Sequence, residues 1–368
     1  MTTVPRGRPE PKRADMVTIA DVARHAGVAV STVSYVLSGK RTISADTRAR
    51  VLASIHTLGY HPHAGARALA SRRSNVIALV LPLRSGMHLP VLMQFATAVV
   101  TTARAVDHDV LLVTADEGPA GLRRIAASAM VDGIIVMDVE LHDRRIAVLR
   151  DLERPSVLIG LPADAAGLTV VDLDFDRAGA ACAEYLAGLG HTSIALLGAP
   201  AVVYERNTAF APRTMAGFLA AARLRGVDAV AQPCEESAED VRQALTALLD
   251  RRPDLSGLVV HNEAAVAHVL AALPALGRRV PQDISVVAIC PDEVAERALP
   301  PLTSVLIPAE EVGTQAVRLL MRKLMDEPVP PATLLGPRLT TRSSTAARPP
   351  APVAARAAAV PAGRAPVG

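Results

Sequence analysis

Residues 17–71, VTIADVARHAGVAVSTVSYVLSGKRTISADTRARVLASIHTLGYHPHAGARALAS, constrain the fold of this chain more than any other stretch. Thr18 followed three places on by Asp21 has the form of a helix N-cap with an acidic first turn. Ile19, Val22, Ala23 and Ala26 then recur on one helical face. Gly27 can take the positive φ that closes a helix and opens a tight turn. A second helix is predicted over Val30–Leu37, with Val33, Val36 and Leu37 inward and Ser31, Thr32, Ser34 and Tyr35 free. A third starts near Ser44, carries Asp46 in its first turn and buries Val51, Leu52, Ile55 and Leu58. Periodicity alone would suit any three-helix domain. The glycine turn and the hydroxyl-rich exposed face predict more: an all-α helix-turn-helix headpiece whose second helix is shaped for a DNA groove.

The charge distribution points the same way. Residues 1–75 hold 12 Lys and Arg against 4 Asp and Glu, and the remainder 27 against 32. A basic end on an acidic body is the footprint of a nucleic-acid module joined to something else. No apolar run approaches the ~18 residues of a membrane span, and the basic, proline-rich start has no signal-peptide core. The expectation is a cytoplasmic chain with no membrane partner. Cys182, Cys234 and Cys290 are far apart and read as free thiols, not as a metal site.

From Asn75 the pattern changes. Apolar runs at Val76–Leu83, Val110–Thr114, Gly133–Met137, Ser156–Leu161 and Thr169–Leu173 alternate with helical segments near 90–106, 120–130 and 142–151. A second series follows at Ile194–Leu197, Val230–Cys234, Leu258–His261 and Ile284–Ile289. Continuous Val, Ile and Leu runs are the mark of strands covered on both faces, so two α/β halves with parallel sheets are predicted in tandem. Residues 347–368, rich in Ala, Pro and Arg, have no core-forming pattern and read as a disordered tail without heptads.

The run TIADVARHAGVAVSTVSYVLSGK, with TRARVL and LGYHP behind it, closely resembles the headpiece of the lactose/galactose repressor (LacI–GalR) family. Weaker matches extend the resemblance over about Val17–Thr345: VDGII at Val131–Ile135, RAGA at Arg177–Ala180, LGH at Leu189–His191, PQDISVV at Pro281–Val287, PPLTSV at Pro300–Val305 and RSST at Arg342–Thr345. The resemblance implies a homodimer on a pseudo-palindromic double-stranded operator and a periplasmic-binding-protein-like core that senses a small-molecule effector. It divides the chain into a basic tail (1–16), the headpiece (17–62), a hinge helix (63–71), an N-subdomain (72–171 and 300–327), a C-subdomain (172–299 and 328–345) and a second tail (346–368). The three crossovers fall near Asp172–Asp176, Pro300–Leu302 and Glu327–Pro330.

Carried over position by position, the resemblance makes Val30, Ser31 and Tyr35 the readers of base edges. Thr32, Ser34, Ser38, Ser44 and Thr47 fall at phosphate-facing positions, and Thr18, at the start of the first helix, is counted with them among the DNA contacts. Tyr35 stands where an Arg is frequent, so the operator should differ from the usual one. Ala29 replaces a capping Ser, at a cost of about 1 kcal/mol. Tyr60 reads as a packing residue. In the hinge, His63–Ala70, Ala66 and Leu69 match the small residue and the wedge leucine that opens a central base step, with Arg67 toward phosphate or groove. So short a segment, with Gly65 inside it, should fold only on an operator.

The effector cleft is less family-like. Strand-end positions where relatives place Asp, Asn and Arg hold Met137, Gly160, Thr214, Asn262 and Cys290 here. Arg84, His88, Tyr204, Arg213 and Asp292 are the nearby polar candidates. With aromatics at 2% and no Trp, a stacking platform looks hard to build, which argues against an ordinary sugar. No nucleophile, metal or nucleotide motif suggests an enzyme or a cofactor. The reading is an effector-controlled repressor; the alternative is a constitutive or architectural DNA binder with a vestigial sensor.

Overall fold

A computed structural model describes residues 17–38, 41–60, 73–128, 130–165 and 167–348. The hinge residues Ala66, Arg67 and Leu69 lie outside them, as do both predicted tails apart from residues 346–348. The chain forms two compact units, divided after Asn75.

The first unit holds α1 (Ile19–Ala26), α2 (Val30–Ser38) and α3 (Ala45–Leu58). A capping box starts α1: Asp21 N donates to Thr18 Oγ1, and Thr18 N donates back to the Asp21 carboxylate at 2.9 Å. That arrangement also holds the Asp21 carboxyl below its ordinary range, the Thr18 hydroxyl contributing most. Gly27 ends the helix at φ 67°, its N–H returning to the Ala23 and Arg24 carbonyls. Val22, Ala23, Ala26, Val33, Val36, Val51 and Tyr60 form the core. Leu37 and Leu52, expected inward, are 40% and 50% exposed. Three short helices enclose little volume, and the inward arc of each is filled by its smaller neighbours.

The second unit contains two six-stranded sheets. The first is ordered β11 (Ala332–Leu335), β5 (Thr169–Leu173), β4 (Ser156–Ile159), β3 (Gly133–Val136), β1 (Val76–Val80) and β2 (Asp109–Val113). The second is ordered β12 (Leu339–Thr340), β10 (Thr303–Leu306), β9 (Ser285–Cys290), β8 (Gly257–Val260), β6 (Ser193–Gly198) and β7 (Asp228–Pro233). All pairings are parallel except β10 with β12. The interior strands are buried on both faces, as their unbroken apolar runs require. Helices α4 (Leu89–Arg104) and α13 (Ala309–Leu324) cover one face of the first sheet; α5 (Gly118–Ala127) and α6 (Arg145–Asp151) cover the other. The second sheet lies between α7 (Phe175–Gly188) with α9 (Phe210–Leu224) and α10 (Ala238–Arg251) with α11 (Val266–Ala275). Helices α7 and α9 cross at Gly179 and Gly217. A Cβ at Gly179 would meet the Thr214 carbonyl, and one at Gly217 the Asp176 carbonyl, both well inside 3.0 Å.

Two crossovers differ from those expected. Strand β10 still pairs with β9, so the second crossing comes after Leu306, not at Pro300–Leu302. Strand β11 pairs with β5, so the third comes after Leu335, not at Glu327–Pro330. The prolines mark where the chain bends, whereas the crossing is set by which sheet edge accepts each short strand. The carboxyl end is anchored further than expected: Ala346 N donates to Ser285 Oγ at 3.0 Å and Arg348 N to the Leu189 carbonyl at 2.7 Å. His191 of the LGH run is buried between the hydroxyls of Ser256 (3.0 Å) and Ser285 (2.9 Å). No helix among the described residues is long and apolar enough to cross a membrane.

Candidate functional site

On α2 the apolar side chains divide. Val33 and Val36 are buried, while Val30, at the start of the helix, is 46% exposed beside exposed Ser31. Thr32, Ser34 and Tyr35 are half-buried on the same helix. The Ala29 carbonyl accepts the first intrahelical bonds, from Thr32 N and Val33 N, and the alanine brings no side-chain oxygen to cap the turn. Ser44 caps α3, accepting from Thr47 N while its hydroxyl meets Thr47 Oγ1 at 2.9 Å. Thr18 is occupied by its capping box. Arg41, which pattern reasoning passed over, places its guanidinium 5.8 Å from the Tyr35 ring centroid. The headpiece thus carries an arginine beside the helix position where the resemblance expected one, though on the following loop.

In the second unit, strands of both sheets aim their carboxyl ends at one cleft, the usual ligand position in open α/β sheets. Met137 and Asp138 follow β3, Gly160 follows β4, Asp172 is the last residue but one of β5, Ala199 and Pro200 follow β6, His261 and Asn262 follow β8, and Ile307 follows β10. Together with His88, Phe95, Phe175, Arg206, Thr208, Phe210, Glu236 and Glu263 they enclose a cavity of about 130 Å³. The two lobes meet across it. Ala209 N donates to the Val139 carbonyl at 2.9 Å and Leu141 N to the Asn207 carbonyl at 2.8 Å. Arg206 Nη1 reaches the Ser85 carbonyl at 2.8 Å, and Arg213 donates to the Leu161 and Pro162 carbonyls.

Four buried polar atoms of cavity-lining side chains have no hydrogen-bond partner among the described residues: Arg206 Nε and Nη2, Thr208 Oγ1 and His261 Nδ1. Buried polar groups are normally satisfied, so such a cluster in one cavity calls for a polar ligand. Burial pushes the Asp172 and Glu263 carboxyls each up to about 7 and the His261 imidazole down to about 4. His88 is also lowered by burial, against the opposing charge of Glu236.

The residues proposed from sequence are distributed unevenly around this cavity. His88, Met137 and Asn262 line it, with Asn262 Nδ2 held on the Cys234 carbonyl at 2.7 Å. Arg84 does not; it is fixed by Asp116 (2.9 Å), Asp138 (2.9 Å) and Glu140 (2.8 Å). Arg213 braces the opposite lobe. Cys290 and Thr214 are buried in packing, Asp292 pairs with Arg342 at 2.9 Å, and Tyr204 Oη lies against Gly198. Phe95, Phe175 and Phe210, three of the four phenylalanines, line the cavity, so an aromatic wall forms where composition made a stacking platform look hard to build. Phe175, Phe210 and His261 pack with ring centroids 5.5–5.7 Å apart. Glu263 and His261 stand at or just past a predicted strand end, the one signal that could have found them.

Comparison with known proteins bears on both sites. Residues 18–63 match the family described as bacterial regulatory proteins, lacI family, and residues 183–345 match a periplasmic binding protein-like domain. The HTH-type transcriptional regulator DegA of Bacillus subtilis is 29% identical over 89% of this chain and 98% of its own length. Catabolite control protein A of Staphylococcus epidermidis is 26% identical over 89% of this chain and 99% of its own. A solved transcriptional regulator CelR–cellobiose complex shares 28% identity over 89% of this chain and 99% of its own, with a TM-score of 0.63. The Lac repressor dimer bound to operator and the anti-inducer ONPF, 24% identical over 90% of this chain and all of its own, has the same fold at a TM-score of 0.78. The chain thus carries a LacI-family helix-turn-helix domain ahead of a periplasmic-binding-protein-like domain, the arrangement found in the LacI-family transcriptional regulators it resembles.

Proposed function

We propose that this chain is a repressor that reads an operator with Val30, Ser31 and Tyr35 and changes its grip when a small molecule fills the interlobe cavity. The cluster of unpartnered polar atoms on Arg206, Thr208 and His261 carries the effector half of this reading. Buried polar atoms of this kind gain from a ligand that pairs them, and a ligand that prefers one arrangement of the lobes shifts the population toward it. The aromatic wall suits the apolar face of a ring, and the CelR structure holds cellobiose. The likeness to LacI-family regulators supports a homodimer on a two-fold operator, with Thr32, Ser34, Ser44 and Thr47 on phosphate and Ala66, Arg67 and Leu69 in the minor groove. The role is binding, not catalysis.

The test is an operator gel shift with DNA selected from a random library by the full-length chain. Retarded DNA should share a two-fold motif, and at least one metabolite of a broad panel should change its affinity. Selection of no common motif would refute the operator reading. A motif that no metabolite affects would favour a constitutive DNA binder with an idle sensor.

A further inference from the structure

Four carboxylates line the cavity, namely Asp138, Asp172, Glu236 and Glu263. Arg84 neutralises Asp138 at 2.9 Å. Among the described residues, the other three have no Lys or Arg within ion-pair distance, and Arg206 is the one such cation lining the cavity. Asp172 is only 5% exposed and accepts from Leu173 N at 2.9 Å. Independent of this acidic set, Thr208 and His261 are each 2% exposed and hold an unpartnered polar atom in the cavity wall. Arg206 keeps Nε and Nη2 free of partners while Nη1 is fixed on Ser85. A ligand therefore has three things to supply: acceptors for the Arg206 fork, a partner for the hydroxyl and the imidazole nitrogen, and positive charge for the carboxylates.

We propose that the cavity takes a small hydroxylated amine, whose ammonium faces Asp172, Glu236 and Glu263 and whose oxygens meet Arg206, Thr208 and His261. This rests on the cavity being the effector site. A neutral polyol would satisfy the hydrogen bonds but give the acidic groups no counter-charge, and an anion would be opposed by whichever of them is ionised. An ammonium gains from both the carboxylates and the rings of Phe175 and Phe210. Burial holds the Asp172 and Glu263 carboxyls up to about 7, so each is only partly ionised near neutral pH. An arriving cation favours their ionised forms, and binding expels protons. The other charged or titratable groups lining the cavity are His88, Asp138, Arg206, Glu236 and His261; Arg213 and Asp174 act on Asp172 from outside it.

Matched pyranose trios test this on the purified full-length chain: D-glucose, D-glucosamine and N-acetyl-D-glucosamine, with the galactose and mannose counterparts. Calorimetry at pH 7 in two buffers of different ionisation enthalpy reads affinity and proton release together. In at least one trio the free amine should bind roughly tenfold more tightly than both uncharged partners, with protons released. Glu263→Gln and Asp172→Asn should each diminish the preference and the release, with ligand-free melting curves checking that each variant folds. A neutral sugar binding as well as its amine would overturn the proposal and leave the effector cavity standing. Binding by none of the probes would overturn it too, and the metabolite gel shift then decides separately whether the cavity senses anything.

Discussion

Replacing Arg145 by Met should destabilise the second unit in a way that depends on pH. Arg145 is 3% exposed, and its guanidinium meets the Asp143 carboxylate from Nε (3.0 and 3.1 Å) and Nη2 (2.7 Å). Nη2 also donates to the carbonyls of Met137 (3.1 Å) and Asp138 (2.7 Å), fixing the turn that walls the cavity. Burial alone would raise the Asp143 carboxyl; the hydrogen bonds and charge of Arg145 reverse this and hold it below its ordinary range. Without Arg145 a buried carboxylate remains unpaired, at a cost of about 3–5 kcal/mol. For a unit of this size that lowers the melting temperature on the order of 10 °C. In the parent, a depressed carboxyl contributes stability above its unfolded value, lost as pH falls through the folded one. In the variant the folded value lies above the unfolded one, so stability is lost as pH rises past about 4. The difference between the two melting curves should therefore be widest at pH 7 and narrow at pH 4.5. Arg145 Nη1 has no partner, so the intact pair contributes little beyond satisfying itself, and the double variant Arg145→Met/Asp143→Leu should recover most of the loss. A loss under about 1 kcal/mol at pH 7, or one unchanged at pH 4.5, would refute the reasoning.

Three further outcomes are expected. Thr18→Ala removes one half of the capping box and should weaken α1 by about 1 kcal/mol, read as faster amide exchange across Ile19–Ala26. Ser31→Ala should leave the melting curve unchanged while discrimination between the selected operator and random DNA falls by roughly 1 kcal/mol or more, read by competition gel shift. Gly217→Val drives two methyls and a Cβ into the Asp176 carbonyl at the α7–α9 crossing and should abolish soluble expression, whereas Ser→Ala exchanges on the exposed side of α2 should not.

Sequence patterning captured what is repeated and local. Nine strands were readable because helices cover both faces of each sheet, so Ile77–Leu81 or Val157–Ile159 form unbroken apolar runs. Thr18, Gly27 and Ser44 were readable because caps are decided within four residues. Strands β10, β11 and β12 were not. They are short, they follow prolines, and their sheet is chosen by the distant edges of β9 and β5. Leu37 and Leu52 show the same limit on a smaller scale, since a helical face tells which residues can turn inward but not how much volume waits for them.

The cavity depends on placement more than on composition. Two per cent aromatic residues seemed too few for a ring-binding wall, yet Phe95, Phe175 and Phe210 come from α4, α7 and α9 to the same space. Arg84 shows the converse: a cation just past a strand end looks available until Asp116, Asp138 and Glu140 are seen to surround it. Arg206 keeps two donors uncommitted among the described residues. What distinguishes the two arginines is how many acceptors the fold has already brought to each. That difference arises from contacts 32 to 56 residues apart for Arg84 and is invisible to any window of sequence. A ligand site is therefore better sought among the buried polar groups that the fold leaves unsatisfied than among the residue types a family usually employs.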